Sequence, residues 1–566
     1  MHELVIKNAV LVDGIDTPAF NGELAVSGGK IVAVGSGKSV GEGRETIDAE
    51  GLTLAPGIID LHTHFDAQLT WDPYATPSNR LGVTTVVIGN CGFTIAPCKP
   101  QDRDRILKNL THVEGMSLEA MEEGIDWDFE TFPEYMNSLE RRGLVPNVAA
   151  FCGHSSVRTW VLGAEASDRA ATKKEVEEMK KLVLEALDHG ACGFATSTLE
   201  QHNGHAGIPM PSRLADEHEM MELTGALGEK KKGAFMLTKG MTTTVPWLEE
   251  VSARNGRPVM IAAMFVDPGD PERVFREIGE IEGARDRGRE LWSQVGCFPL
   301  GMEFNLAHPY PLEALINWRP AIEAEGSDDY KRVLADTSFR QSLKDEMHTT
   351  GVPNRFSSNN WDHMTIKSVG KIEHQDLVGK VVGKLAREAG KDPWDWFLDF
   401  GLADNLKAEF ECQLFNVDED RVVDLLRHPA AAVTLSDAGA HLSFLCDAGF
   451  GLHLMGHWAR DRGDMSLEEA VKKLTSRAAD IYRIKDRGRL QVGAWADMML
   501  FDPKTVGRGE KRRVQDLPAS ATRVDTPAVG LHGVWVNGVR TVDDAGDNIA
   551  NCGKPGQLLR DFADLT

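Results

Sequence analysis

The run APGIIDLHTH, residues 55–64, passes within one residue from apolar chain to a pair of histidines. In an extended strand, residues i and i+2 share a face, so His62 and His64 point into the same space. Two imidazoles converging on one point suit a divalent metal. The chain has 18 histidines, and an HxH arises by chance in roughly half of chains of that composition. Its surroundings therefore decide. An apolar run that ends abruptly in polar residues is the C-terminal end of a barrel strand, where the active sites of such barrels lie.

Working outward, apolar runs of this kind fall near 53–61, 84–88, 147–152, 191–196, 234–237, 259–263, 291–295 and 431–435. Charge-rich helical stretches alternate with them, which is the pattern of a parallel α/β sheet. In TKKEVEEMKKLVLEALDHG, residues 172–190, Val176, Met179, Val183, Ala186 and Leu187 form one stripe, and Gly190 ends the helix. Eight strand-helix units predict a closed, TIM-like (β/α)8 barrel over 53–486. The seventh and eighth runs stand roughly 130 residues apart, too far for a connecting loop. An inserted subdomain or lid is expected over about 303–430, including the Trp-rich KDPWDWFLDFGL at 391–402.

Both ends of the chain read differently. Short strand segments punctuated by glycines fill 1–52, and similar patterning with an Asn537-Gly538 turn fills 487–545. The two ends are expected to form one composite β-sandwich, followed by a strap over 546–566.

Composition narrows the partners. The formal charge of −24 at pH 7 on 566 residues repels phosphate backbones and anionic lipid, so neither nucleic acid nor a membrane surface is expected as a partner. The N-terminal MHELVIKNAVLVDG reads as a strand rather than a signal peptide, and no apolar run approaches the roughly 18 residues of a membrane helix. Eight scattered cysteines without CxxC pairs fit a reducing, cytoplasmic setting. A homo-oligomer is left open.

Asp437 lies in SDAGAH, residues 436–441, just after the eighth run. Locally it reads as a turn former or N-cap. In a closed barrel the first and last strands are neighbours, so its carboxylate adjoins the histidine pair, where it can ligate a metal or take a proton from bound water.

These motifs, with TTVVIGNCG (84–92), the GHxxxR pattern in VAAFCGHSSVR (148–158) and the tail GRLQVGAWADMMLFDPKTV (488–506), resemble the amidohydrolase superfamily, nearest its D-aminoacylase or N-acyl-D-amino-acid deacylase branch. The resemblance implies a zinc-activated water that attacks an amide carbonyl. It implies His62 and His64 as strand-one ligands, Cys91 as a metal-binding thiolate and Asp437 as general base. Zinc favours thiolate sulfur; the alternative for Cys91 is an inert buried thiol. The sequence departs from the family where histidines are expected after strands five and six. Thr238 stands in FMLTKG and Ala263 in PVMIAAMF, so one Zn2+ is expected, held by His62, His64, Cys91 and Asp437. GCFPL, residues 296–300, replaces the family's strand-seven Tyr-Pro-Tyr signature.

Candidates for substrate contact are His154 in the GHxxxR pattern, His202 and Arg213 in STLEQHNGHAGIPMPSRLAD (197–216), Lys239 beside the missing ligand, and His441. His205 and His363 could also approach the mouth, and Arg355 or Arg213 could pair with a substrate carboxylate. The reading is a hydrolase of a non-peptide amide bond in an N-acyl amino acid or related small N-acyl compound. Two alternatives stay open: a cyclic amide, carbamate or ester in the same pocket, and a binding or assembly protein that lost part of its metal site.

Overall fold

Gly57 is the point at which the first apolar run divides between two sheets. In the computed structural model, which describes residues 1–566 apart from positions 16, 37–39, 314, 348–355, 357, 442–444 and 563–566, Thr53–Pro56 pairs with Met498–Phe501 and His2–Leu11. The barrel strand begins only at Ile58–Asp60. A Cβ at position 57 would lie 2.2 Å from the Thr84 side chain, so the crossing from one sheet to the other admits only glycine there. The run at 53–61 is thus two strands of different sheets.

From Ile58–Asp60 the barrel strands follow in chain order: Val83–Ile88, Asn147–Gly153, Gly193–Ser197, Ala234–Thr238, Val259–Met264, Leu291–Val295 and Ala431–Ala432. All are parallel to their neighbours. Closure comes where His62–Thr63, continuing strand one, pairs in parallel with Leu435–Ala438, continuing strand eight. The His64 N–H donates to the Ala438 carbonyl at 2.7 Å. Strand two, VTTVVI, is buried at every residue, as a strand covered on both faces must be. The helix Lys173–Asp188 is capped by Thr172, whose hydroxyl accepts from Glu175 N–H, and it buries the stripe expected of it.

The two ends of the chain build one composite unit on an eight-stranded sheet, joined where Thr53–Pro56 meets Met498–Phe501. Leu4, Ile6, Leu24, Leu54, Met498 and Trp535 fill its core. The insertion is organised by a three-stranded antiparallel sheet of Leu300–Asn305, Glu409–Phe415 and Met364–Ser368. Its core is separate and aromatic, with Trp318, Trp361, Trp394 and Phe397 buried together. Its sheet begins at Leu300. The helix Glu419–Arg427 packs Val422, Leu425 and Leu426 into the barrel core instead. The tail crosses beneath strand three, where Val148 N–H donates to Gln557 O at 2.9 Å and Leu559 N–H to Val148 O at 2.7 Å. Among the described residues no helix is long and apolar enough to cross a membrane.

Candidate metal centre

At the C-terminal mouth, His62 and His64 leave strand one with their rings 5.3 Å apart. The His62 ring is held from behind by a hydrogen bond, whereas His64 has a carboxylate at ion-pair distance behind it and no hydrogen bond there. His62 Nδ1 lies 2.8 Å from Gln294 Oε1, and the Gln294 amide is oriented by donating from Nε2 to Thr434 O at 3.3 Å and Oγ1 at 3.2 Å. The Gln294 oxygen therefore accepts from Nδ1–H, and the Nε2 lone pair of His62 faces inward. His64 Nδ1 lies 3.2 Å from Glu114 Oε1. The inward atoms meet: Cys91 Sγ is 3.5 Å from His62 Nε2, and Asp437 Oδ1 is 3.0 Å from His64 Nε2 and 3.5 Å from His62 Nε2.

One ligating atom from each of His62, His64 and Cys91 lies within 4.8 Å of the other two. Two nitrogens and a sulfur, with a carboxylate oxygen beside them, are a donor set that can hold a divalent metal of zinc's kind. The two imidazoles and the thiol are almost fully buried, whereas the Asp437 side chain is 20% exposed. Among these four groups, the carboxylate is the most exposed.

The backbone is bent to achieve this. Cys91, Asp437 and His441 have φ of 57°, 59° and 51°, a left-handed conformation that costs a non-glycine residue about 1–3 kcal/mol. Glycines beside them allow the turns. Gly92 follows Cys91, and at Gly439 a Cβ would meet the His64 carbonyl carbon at 2.6 Å. The motifs GNCG and DAGAH are thus sharp turns that aim side chains off strand ends.

The electrostatics follow from burial and pairing. Burial alone would raise the Asp437 carboxyl, but His441, whose Nε2 is 3.3 Å from Oδ2, and His64 hold it well below the usual carboxylate range. Burial pushes the Cys91 thiol up, with His64 opposing, so a cation in the cluster is what would favour thiolate. Burial lowers His62 to about 4 despite Asp437. Burial also disfavours charge on His64, yet the Glu114 carboxylate and Asp437 carry it well above the ordinary value.

A chamber opens over the cluster. Its roof comes from the insertion, with Leu300, Met302, Tyr310, Phe356, Leu414 and Phe415. Of the sequence candidates, His202, Lys239 and His441 line it. Lys239 Nζ is paired with Glu277 Oε1 at 2.9 Å. Thr238 Oγ1 lies 3.1 Å from Cys91 Sγ, and Ala263 also lines the chamber, so the two departures stand at the mouth.

Other candidates are not brought there. His154 is fully buried, with Nδ1 2.7 Å from Thr196 Oγ1 and Nε2 2.8 Å from Glu219 Oε1. Both nitrogens are used, and Arg158 holds the other Glu219 oxygen. The GHxxxR pattern builds this internal triad, not a substrate contact. Arg213 turns to the Asn203 side chain and the His202 carbonyl. His205 is exposed and lines an outer cavity. His363 ends a turn of the insertion away from the chamber lining. Arg355 lies outside the described residues.

Sequence reasoning missed Glu114 and Gln294. The glutamine carried a signal, a polar side chain inside the apolar run LWSQV. Glu114, just past the end of the helix Arg103–Val113, carried none.

A model described as the amidohydrolase family matches residues 45–542. The chain belongs to the amidohydrolase family. It is an amidohydrolase acting on carbon–nitrogen bonds other than peptide bonds. A D-aminoacylase of Alcaligenes xylosoxydans xylosoxydans is 28% identical over 541 residues, covering 95% of this chain and 93% of that protein. An N-acyl-D-aspartate deacylase of the same organism is 28% identical over 564 residues, covering 98% and 95%. The crystal structure of N-acyl-D-glutamate deacylase from Bordetella bronchiseptica, complexed with zinc and a phosphonate inhibitor, superimposes with a TM-score of 0.67 at 24% identity over 99% of this chain and 100% of that one. At that identity the likeness concerns the amidohydrolase fold.

Proposed function

We propose that this amidohydrolase cleaves the amide bond of an N-acyl amino acid or a related small N-acyl compound, using one divalent metal held by His62, His64 and Cys91, with Asp437 as general base. The observation that carries this reading is the convergence of those three ligating atoms within 4.8 Å. Zinc is the metal the donor set favours, because thiolate and imidazole together select it over magnesium or calcium. When bound, the metal supplies a water of lowered pKa and a Lewis acid for the carbonyl.

The chain's own residues do the rest. Asp437 takes a proton from the attacking water as the new oxygen–carbon bond forms, then delivers it to the nitrogen as the carbon–nitrogen bond breaks. His441, 3.3 Å from Oδ2, holds the carboxylate in place for both transfers. Asp437 is the most exposed of the four groups, which favours the base over the tight-ligand part of its expected role. Lys239, the one lysine or arginine among the described lining residues, would meet a substrate carboxylate by sharing or exchanging its Glu277 partner. The insertion roof excludes bulk water above the reacting bond.

The named activities of the relatives support this substrate class. The test is a panel of N-acetyl and N-formyl amino acids of both hands, with cyclic amides, carbamates and esters, assayed on zinc-reconstituted enzyme. Release of free amino acid from at least one N-acyl amino acid is expected. Turnover confined to cyclic amides or esters would overturn the assignment.

A further inference from the structure

His202 sits in the chamber with a fixed ring and an open nitrogen. Its backbone is tied on both sides: its N–H donates to Leu199 O at 3.0 Å, and its carbonyl accepts from Met210 N–H at 3.1 Å. Its ring packs edge-on against Phe93 at 5.0 Å, two residues beyond Cys91. Its Nδ1 lies 2.6 Å from Ser197 Oγ. Its Nε2 has no protein partner among the described residues, and the side chain lines the space shared by His62, His64, Cys91 and Asp437.

The protons on this pair can be placed. Ser197 Oγ already accepts from Leu199 N–H at 3.1 Å, so its single proton must go to a further acceptor. The Thr238 carbonyl, which also accepts Thr198 N–H at 3.0 Å, is the more distant acceptor for that proton at 3.4 Å. The nearer acceptor is His202 Nδ1. The contact of 2.6 Å against 3.4 Å favours Ser197 as donor to Nδ1, which places the imidazole proton on Nε2. Burial, with His441 and Arg213 nearby and Asp437 opposing, lowers the ring to about 3, so the imidazole is neutral across the working range of pH.

We infer that His202 donates a hydrogen bond from Nε2–H to the carbonyl oxygen of the bound amide, strengthening as that oxygen gains negative charge, so that it is a further catalytic residue of the reaction. No proton leaves the ring: the water oxygen bonds to carbon, the carbonyl electron pair moves to oxygen, and Nε2–H stabilises that charge until the pair returns and the carbon–nitrogen bond breaks. A neutral donor fixed in advance needs no reorganisation during the reaction and does not compete with a cation for Asp437. The inference rests on the amide-hydrolysing reading of the chamber.

Two measurements test it on the metal-loaded enzyme. Replacing His202 by Phe keeps the packing on Phe93 and removes the donor. The expected result is a kcat lower by about 100-fold or more, KM within about threefold, unchanged metal content, and weakened binding of a phosphonate analogue of the substrate. A raised KM with unchanged kcat would overturn it. Independently, 15N-histidine NMR of the wild type, with His202 assigned by the signal lost in His202→Phe, should show the proton on Nε2 and no titration between pH 5 and 8. A proton on Nδ1, or titration near neutrality, would refute the donor. Absence of N-acyl amino acid hydrolysis by the wild type would instead sink the functional reading, leaving the NMR result to decide the tautomer.

Discussion

The two ends of the barrel are both rich in buried polar groups, and they treat them in opposite ways. Beneath the N-terminal end, Asn147, Arg487, Asp497, Asn537 and Gln557 satisfy one another. Asn147 Nδ2 donates to Asp497 Oδ2 at 3.1 Å, Asn537 Nδ2 to Asn147 Oδ1 at 2.9 Å, Arg487 Nη2 to Gln557 Oε1 at 2.9 Å, and Asn537 N–H to Asp497 Oδ1 at 2.8 Å. At the mouth, His62, His64, Cys91 and Asp437 instead aim at a shared centre, from left-handed backbone at two of the four. A closed network that binds the terminal sheet and the tail to the barrel is scaffold. A convergent set held under strain is machinery.

That contrast can be broken at several points, in order of expected effect. Asp437→Asn should lower kcat by about 100- to 10,000-fold while metal content stays at the wild-type value, read by steady-state kinetics beside elemental analysis. Loss of metal in this variant would make Asp437 a ligand first. Next, Gln294→Ala and Glu114→Gln should each weaken metal affinity by about 10- to 100-fold, measured by competition with a chelator, because Gln294 hydrogen-bonds His62 and the Glu114 carboxylate lies at ion-pair distance behind His64. Unchanged affinity would reduce them to packing.

At the opposite end, Asn147→Ala should cost about 1–3 kcal/mol of stability by leaving buried partners unpaired, seen in urea unfolding. Its turnover per folded molecule should be unaltered, so altered turnover with unchanged stability would erase the distinction between the two ends. The smallest effect is a pH dependence. Burial lowers both His202 and His453 to about 3, below the roughly 6.5 of a histidine in the unfolded chain. Below pH 6.5 the unfolded chain therefore binds more protons, and stability falls as pH drops toward 3. The urea midpoint should be lower at pH 5.5 than at 7.5, and His453→Leu should narrow that difference.

The sequence showed the barrel because parallel strands covered on both faces read as uninterrupted apolar runs, and each run then turned polar at the mouth. It pointed to His62, His64 and Asp437 because each follows such a run directly, while Cys91 entered through the family resemblance. It could not show Gln294 reaching His62 across 232 residues, nor Glu114 behind His64, since neither pairing leaves a mark on local spacing. His154 misled for a similar reason: its partner Glu219 comes from another helix, and only packing reveals that the ring is already saturated. The division of the first apolar run was equally hidden, because Thr53–Pro56 and Ile58–Asp60 are alike in apolarity and differ only in which sheet receives them.

The most direct test is the metal content of protein reconstituted with zinc and freed of excess by gel filtration, compared among wild type, His64→Ala and Cys91→Ala. One equivalent per chain in the wild type, falling sharply in both variants, is the predicted result. A wild type that retains none, or a Cys91→Ala variant that retains a full equivalent, would contradict a centre built on His62, His64 and Cys91.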